Sequence, residues 1–488
     1  MSTANLIKQS KFLIDNPTLS VDDISGEPKS KHAFINKLNQ FGDKFLYSRL
    51  YMVLLGLLVF VCWYLEKEIV GVAIVIFFAS IVLVLRRDTT PLIAIIFVIA
   101  MIFPRDIDPL SYGNAFFFFI PLPIAIVFHF IRFRVPMRVG KMFFPQLAVS
   151  IALFVGGIGV IPKDNYLTGL TYVILLGVAI LFFYFLFYLY AYPPKNVDFK
   201  MFIANLLNVV GTIIVCQVAT RYIQEPEVHF RVGSAVSIGW GCGNNFATIL
   251  LFTVGGTLYL ASKSKASLFY LVLAVLQYVA IVLGWSRGAT LFAAIILPMY
   301  IIALFVSAGK NRRYVVFGGV IVLAFMLATI IVFHKEIFAL VDMVLAQGTG
   351  VSGRDKLYSE AIQVFLANPI FGAGVGFYGD YYRFDIMPMY WFHSTLFQVI
   401  GSMGIVGILA YAYYYYARYR VMVRKKCAFS VFMIIGMIGF EGYSMIDTGT
   451  FVPIPIMIMI ILMTLLIELD NKAHPETFID YKTLLKRK

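Results

Sequence analysis

Charge is what this sequence has least of. Only 14% of the 488 residues are Asp, Glu, Lys or Arg, against 60% hydrophobic residues and a mean hydropathy of +0.85. A soluble chain of this length needs far more polar surface, so a soluble globular protein is excluded. Cysteine is scarce: there are four, and no Cys-x-x-Cys pair. Cys62 and Cys216 lie in apolar runs, Cys427 borders a basic loop, and Cys242 alone falls in an interval assigned to the outside. Neither a disulfide framework nor a zinc site fits that pattern. The polar N-terminal stretch lacks a short apolar core followed by a small-residue cleavage site, so the first spanning helix is expected to be the anchor. The apolar runs do not alternate with a two-residue period, which argues for spanning helices over an outer-membrane barrel. Internal repeats, low-complexity segments and hydrolytic Ser/His/Asp or Cys/His sets are missing too.

What is present is a succession of apolar runs of the length a bilayer requires, about 20 residues each. Fourteen candidates fall at 50–65, 69–85, 91–103, 115–131, 143–160, 167–191, 201–219, 246–261, 268–285, 289–307, 314–333, 392–414, 428–443 and 451–468. The third is short enough for a re-entrant segment, and only Gly284–Gly288 separates the ninth from the tenth. The expected fold is all-α: a polytopic membrane protein with about 14 (12–14) transmembrane helices and one large, partly helical extracytoplasmic loop. Its parts are a cytoplasmic N-terminal tail (1–48), helices 1–11 (49–333), the loop (334–391), helices 12–14 (392–468) and a cytoplasmic C-terminal tail (469–488).

The basic residues support this topology. With both ends inside, Arg86-Arg87, the group Arg132 to Lys141, Lys195 and Lys200, Lys263 and Lys265, Lys310 to Arg313, the group Arg418 to Lys426 and the C-terminal Lys486-Arg487-Lys488 all fall inside, as the positive-inside rule requires. The formal charge of +14 thus follows from topology and attraction to anionic lipid, not from nucleic-acid binding. Ten of the 40 basic residues stay outside, among them Arg221, Arg231, Arg287 and Arg354.

The loop at 334–391 is the one long polar interval. Ser352-Gly353-Arg354-Asp355 has capping-box spacing, Leu357, Ala361, Val364 and Phe365 recur at helical spacing, and Asn368-Pro369 stops the pattern, so a surface helix is predicted. Gly372-Ala373-Gly374-Val375-Gly376 lacks dinucleotide-fingerprint spacing; its amides suit an anion cradle, and its glycines equally suit a hinge. The aromatics Phe377, Tyr378, Tyr381, Tyr382, Tyr390, Trp391 and Phe392 fit an interfacial belt, and Tyr382 and Trp391 also suit stacking on sugar rings. His393 opens the next apolar run, where a neutral imidazole can take a proton from a hydroxyl near pH 7. Arg287, between two apolar runs and against the charge preference of its side, points to a bound anion, since guanidinium matches phosphate oxygens with a planar fork. Arg231, Arg221 and Arg354 are further anion candidates, Arg354 equally a helix cap. Asp106-Ile107-Asp108 has metal-site spacing but no further ligands, so no metal is assigned. Glu441 and Asp447 flank the last outer turn and are candidates for orienting His393.

These segments resemble the O-antigen ligase and O-antigen polymerase (Wzy-C) group of bacterial membrane glycosyltransferases. The resemblance runs over about 230–410. It rests on Gly353-Arg354, Asn368-Pro369-Ile370-Phe371-Gly372-Ala373-Gly374, His393-Ser394-Thr395-Leu396 and Gly401-Ser402-Met403-Gly404-Ile405-Val406-Gly407. Ser286-Arg287-Gly288, and Arg231-x-Gly233 with Asn245, match weaker positions. The family often has Asn where this chain has Ser394. The resemblance implies an undecaprenyl-pyrophosphate-linked glycan as donor, an acceptor glycan or glycolipid, and membrane lipid and chain-length regulator proteins as partners, with no cofactor or metal, at the outer face of the cytoplasmic membrane. It implies that Arg287 and Arg231 hold the pyrophosphate and that His393 activates the acceptor hydroxyl for inverting attack. Polymerisation of repeat units is the expected reaction, transfer of finished glycan the alternative, and a lipid-linked oligosaccharide flippase the alternative of another class.

Overall fold

The computed structural model describes residues 40–103, 117–158, 173–229, 236–239, 241–332, 334–335, 354–375, 391–425, 427–447, 449–451 and 454–473. Residues 1–51 form one unit, described from a helix at Gln40–Leu46 onward, and residues 52–488 form the other. Among the described residues the fold is helical, apart from a two-residue antiparallel ladder of β1 (Ser237–Ile238) with β2 (Gly241–Cys242).

Each apolar run of the sequence is occupied by helix. In order these are α1 (Arg49–Tyr64), α2 (Glu68–Leu85), α3 (Ile93–Ile99, between two 3-10 turns), α4 (Pro121–Arg132), α5 (Phe143–Val155), α6 (Ile180–Leu189, after a π-helical turn), α7 (Phe199–Gln224) and α8 (Gly243–Lys263). They continue with α9 (Ser267–Leu283), α10 (Arg287–Ser307) and α11 (Arg312–Val332), then the loop helix α12 (Arg354–Ala367), α13 (Thr395–Met422), α14 (Ala428–Ser444) and α15 (Ile454–Ala473). Six helical segments among the described residues are long and apolar enough to cross a membrane: 68–85, 199–224, 243–263, 287–307, 309–328 and 395–422. Side chains apolar on every face suit a helix surrounded by lipid or by other helices, and intrahelical bonding is what lets its backbone enter hydrocarbon.

The bundle is built around α8, which α7, α9, α10 and α14 all contact. Small residues permit that crowding. A Cβ on Gly255 would lie 2.7 Å from the Tyr300 hydroxyl, and one on Gly256 2.7 Å from Leu207 Cβ. Where apolar packing against lipid-like surroundings gives no selectivity, polar side chains join helices instead. Gln277 of α9 donates to Thr257 of α8 at 2.8 Å, and Thr257 donates to Asn208 of α7 at 3.2 Å.

Contacts between loops gather at two ends. At one end the Lys141 amide and the Tyr184 hydroxyl both donate to Glu468 at 3.0 Å. Lys425 donates to the Asp470 carboxylate at 2.8 Å, and Asn471 to the Val421 carbonyl at 2.9 Å. At the other end lie 283–288, 354–358, 391–394 and 443–447. The sequence assigns the first group inside and the second outside.

Three expectations change. Helix α13 continues to Met422, so Arg418 is not in an inner loop. Its guanidinium is 1% exposed, bonds the Glu441 carboxylate and lies over the rings of Tyr414, Tyr415 and Tyr419. Glu441 is therefore committed to Arg418 and is not the partner of His393, since an arginine buried in apolar surroundings demands a counter-charge. The glycine segment is not an anion cradle at Gly372, Ala373 and Gly374, whose amides are already used; Gly376 lies outside the described residues. Ala373 N donates to Gly401 O at 2.8 Å and Gly374 N to Ser402 O at 2.9 Å. In return Ile405 N donates to Pro369 O at 2.8 Å and Val406 N to Ile370 O at 3.2 Å. This pairing spans a break in α13 at Gly404, whose φ is +60° and where a Cβ would lie 2.5 Å from the Pro369 carbonyl. Only glycine tolerates both conditions. The donors and acceptors freed by the break are thus satisfied by the loop, which fixes α12 against α13.

Candidate functional site

Two helices start at the outer end with the same local arrangement. Ser286 caps α10, accepting from Ala289 N at 3.4 Å, and Ser394 caps α13, accepting from Phe397 N at 3.4 Å. A capping side chain supplies an acceptor for an amide that has no partner within the helix. In each case the preceding residue has a left-handed backbone: Trp285 at φ +54° and His393 at φ +50°. Such a conformation costs a non-glycine residue on the order of 1–3 kcal/mol and persists only where surrounding contacts hold it. The Trp285 indole N–H donates to the His229 carbonyl at 3.1 Å, and the Tyr358 hydroxyl donates to the His393 carbonyl at 3.2 Å.

Asp447, on the turn after α14, joins the pieces. Its Oδ2 accepts from the Tyr443 hydroxyl at 3.1 Å and from Arg354 Nη2 at 3.2 Å, and its Oδ1 lies 3.4 Å from His393 Nδ1. Arg354 Nη1 also donates to the Ile446 carbonyl at 2.5 Å, which ties the first residue of α12 to that turn. A carboxylate facing Nδ1 favours the proton there and leaves Nε2 as the acceptor. The His393 side chain is 44% exposed, whereas that of Asp447 is only 10% exposed, so the imidazole meets solvent and its partner does not. Tyr358 stacks on Phe397 with ring centroids 4.3 Å apart. Burial raises the Tyr358 phenol above its ordinary range, with Arg354 opposing the rise and Asp447 adding to it, so it stays a neutral donor.

Beside this cluster is a cavity of about 170 Å³ lined by Asn244, Trp285, Ser286, Arg287, Gly288, Arg354 and Tyr443. Two guanidinium groups, from α10 and α12, thus face one space at the N-terminus of α10, where helix amides add positive potential. A Cβ on Gly288 would lie 2.6 Å from Ile446 and 2.9 Å from the Tyr443 ring, so this glycine lets the start of α10 reach the end of α14. Ser286 and Tyr443 hydroxyls are 2.8 Å apart, linking the cavity wall to Asp447.

Among the residues singled out from sequence, the structure brings His393, Arg287 and Arg354 together. Arg221, in the last turn of α7, lies over the Trp63 ring at 5.3 Å and does not line the cavity. Asn244 faces the cavity, while its neighbour Asn245 lies against the ladder: a Cβ on Gly241 would be 2.3 Å from the Asn245 amide nitrogen. Trp391 packs on Phe451 with centroids 6.0 Å apart, outside the cavity wall. Arg231, Tyr382, Asp106 and Asp108 lie outside the described residues. Sequence reasoning missed Tyr443 and Tyr358, and of the pair Asn244-Asn245 it chose Asn245. The i,i+4 spacing of Tyr443 and Asp447 was a usable signal, because it places both on one face of a helix end.

The features together define an all-helical, multi-pass membrane protein with a cationic cleft and a half-exposed histidine at one end. Residues 250–412, from within α8 to the middle of α13, match the family model described as O-antigen ligase (Wzy_C). No curated protein matches the chain. The matched segment carries Arg287, Arg354, Trp391 and His393; Asn244, Tyr443 and Asp447 lie outside it.

Proposed function

We propose that the protein is a membrane glycosyltransferase of cell-surface polysaccharide assembly, taking glycan from a polyprenyl-pyrophosphate donor at the outer face of the cytoplasmic membrane. The fourteen helical segments cross the bilayer with both chain ends inside, and α12 with its flanking loop covers the outer site. The observation that carries the reading is the shared Asp447: one oxygen faces His393, and the other holds Arg354, which lines a cavity with Arg287. A proton acceptor and one phosphate-matching cation are thus held by one carboxylate, and a second such cation lines the same cavity as the first.

In this reading the donor diphosphate lies against Arg287 and Arg354. His393 Nε2 takes the proton of an acceptor sugar hydroxyl as that oxygen attacks the anomeric carbon. The new glycosidic C–O bond forms as the C–O bond to the diphosphate breaks, with inversion, and the electron pair leaves on the lipid diphosphate. Fixed cations at the leaving oxygens stabilise charge that develops only in the transition state. Asp447 keeps the imidazole in the required tautomer and balances the imidazolium that forms. The Nδ1 to Oδ1 distance of 3.4 Å is long for a hydrogen bond, as is common before substrate binds.

The test is extension of a lipid-linked repeat unit by purified protein in lipid bilayers. His393→Ala and Arg287→Ala are expected to abolish extension while the protein stays inserted and monodisperse; full activity in either variant rejects the role of that residue. A ladder of product lengths from a single repeat marks a polymerase, which is the reading adopted; one discrete transfer product marks ligation.

A further inference from the structure

The hydrogen-bond directions across the outer end can be fixed from the chemistry of the groups. An ionised Asp447 only accepts, so the Tyr443 hydroxyl must give its single proton to Oδ2. Tyr443 oxygen is then the acceptor towards Ser286, whose hydroxyl must donate across the 2.8 Å contact. Ser286 oxygen in turn accepts from the Ala289 amide in the first turn of α10. The result is a one-way chain, Ala289 N–H to Ser286 to Tyr443 to Asp447, that connects the start of the arginine-bearing helix to the carboxylate facing His393. Tyr443 and Ser286 are only 1% and 4% exposed.

We infer that Tyr443 is a positioning residue for the transfer reaction: its hydroxyl fixes the distance between the donor-diphosphate end of the site, at α10, and the acceptor-activating His393, by holding Asp447 to Ser286. The inference rests on the proposed glycosyltransferase reading. It goes beyond that reading because Tyr443 touches no reacting atom and lies outside the matched family segment. Asp447 meets side chains with separate duties, among them Arg354 from α12, Tyr443 from α14 and His393 from the segment before α13. Removing the tyrosine donor leaves the carboxylate less neutralised and freer to turn about the Arg354 contact. His393 then loses its fixed aim.

The experiment is steady-state glycan transfer by full-length protein in bilayers, using lipid-linked repeat unit as donor. Tyr443→Phe keeps the ring that packs on Gly288 and removes only the hydroxyl. Its turnover is expected to fall about ten- to hundredfold, the range for one lost hydrogen bond to a charged group. Donor KM should stay within about threefold, so the loss falls on turnover and not on donor binding. Because Tyr443 acts through Asp447, Tyr443→Phe combined with Asp447→Asn should be no slower than Asp447→Asn alone. Should Tyr443→Phe fail to insert, Ser286→Gly replaces it: glycine keeps most of the cap stability, and the same non-additivity with Asp447→Asn is expected. Wild-type turnover in the folded variant, or losses that multiply in the double variant, overturn the inference. If His393→Ala and Arg287→Ala remain active, the glycosyltransferase reading itself has failed; if they are dead and Tyr443→Phe is fully active, only the positioning role has.

Discussion

The two ends of the bundle both concentrate charge, and they use it differently. At the inner end Glu468, Asp470 and Lys425 have side chains only 1%, 5% and 2% exposed, and each is bonded to groups of other helices or loops. At the outer end the His393 side chain is 44% exposed and that of Arg354 23% exposed, and Arg287 is exposed. Burial and pairing across helices make these charges struts that tie helix ends together. Arg354 holds Asp447 and Ile446 and lines the cavity together with Arg287, while the His393 side chain stays half-exposed. In the proposed reading, exposure beside a cavity, not charge alone, separates a reactive cluster from a structural one.

The comparison can be broken most forcefully at Arg354. Arg354→Lys keeps the charge but loses the fork that bridges Ile446 O and Asp447. Turnover is expected to fall about a hundredfold or more, since two charge-assisted bonds are affected; near-normal transfer by the inserted variant would remove Arg354 from the site. Asp447→Asn is milder, with a loss of about ten- to hundredfold in turnover. Near-normal turnover in the inserted variant would separate Asp447 from His393. The smallest catalytic effect belongs to the inner end. Lys425→Met leaves Asp470 buried beside the more distant Lys200 at 4.0 Å. It should lower stability by about 3–5 kcal/mol, seen as a drop in the detergent unfolding midpoint, while turnover per folded molecule stays unchanged. A loss of turnover without loss of stability would show that the inner cluster is more than a strut.

The helices were legible because bilayer length and continuous apolarity leave little else for those runs to be, and α12 was legible from its capping box and its Asn-Pro stop. His393 and Arg287 stood out because an ionisable group at the mouth of an apolar run needs a partner or a role. The end of α13 was not legible. Arg418 reads as a loop cation in one dimension, and only the Glu441 carboxylate on a neighbouring helix makes its burial tolerable. The glycine segment was misread for a similar reason: the partners of its amides are carbonyls about thirty residues further on, exposed by a break that no local pattern reveals.

By itself the sequence determined that this chain lives in a membrane, and from composition and spacing alone it assigned sides to the loops and singled out rare cations against the charge preference. Tertiary structure alone decided which of those cations share a cavity, that Asp447 and not Glu441 faces His393, and that Asn244 and not Asn245 forms the wall. Those outcomes depend on how helices rotate and approach one another, and a one-residue or one-carboxylate difference in facing is set by packing between segments distant in the chain.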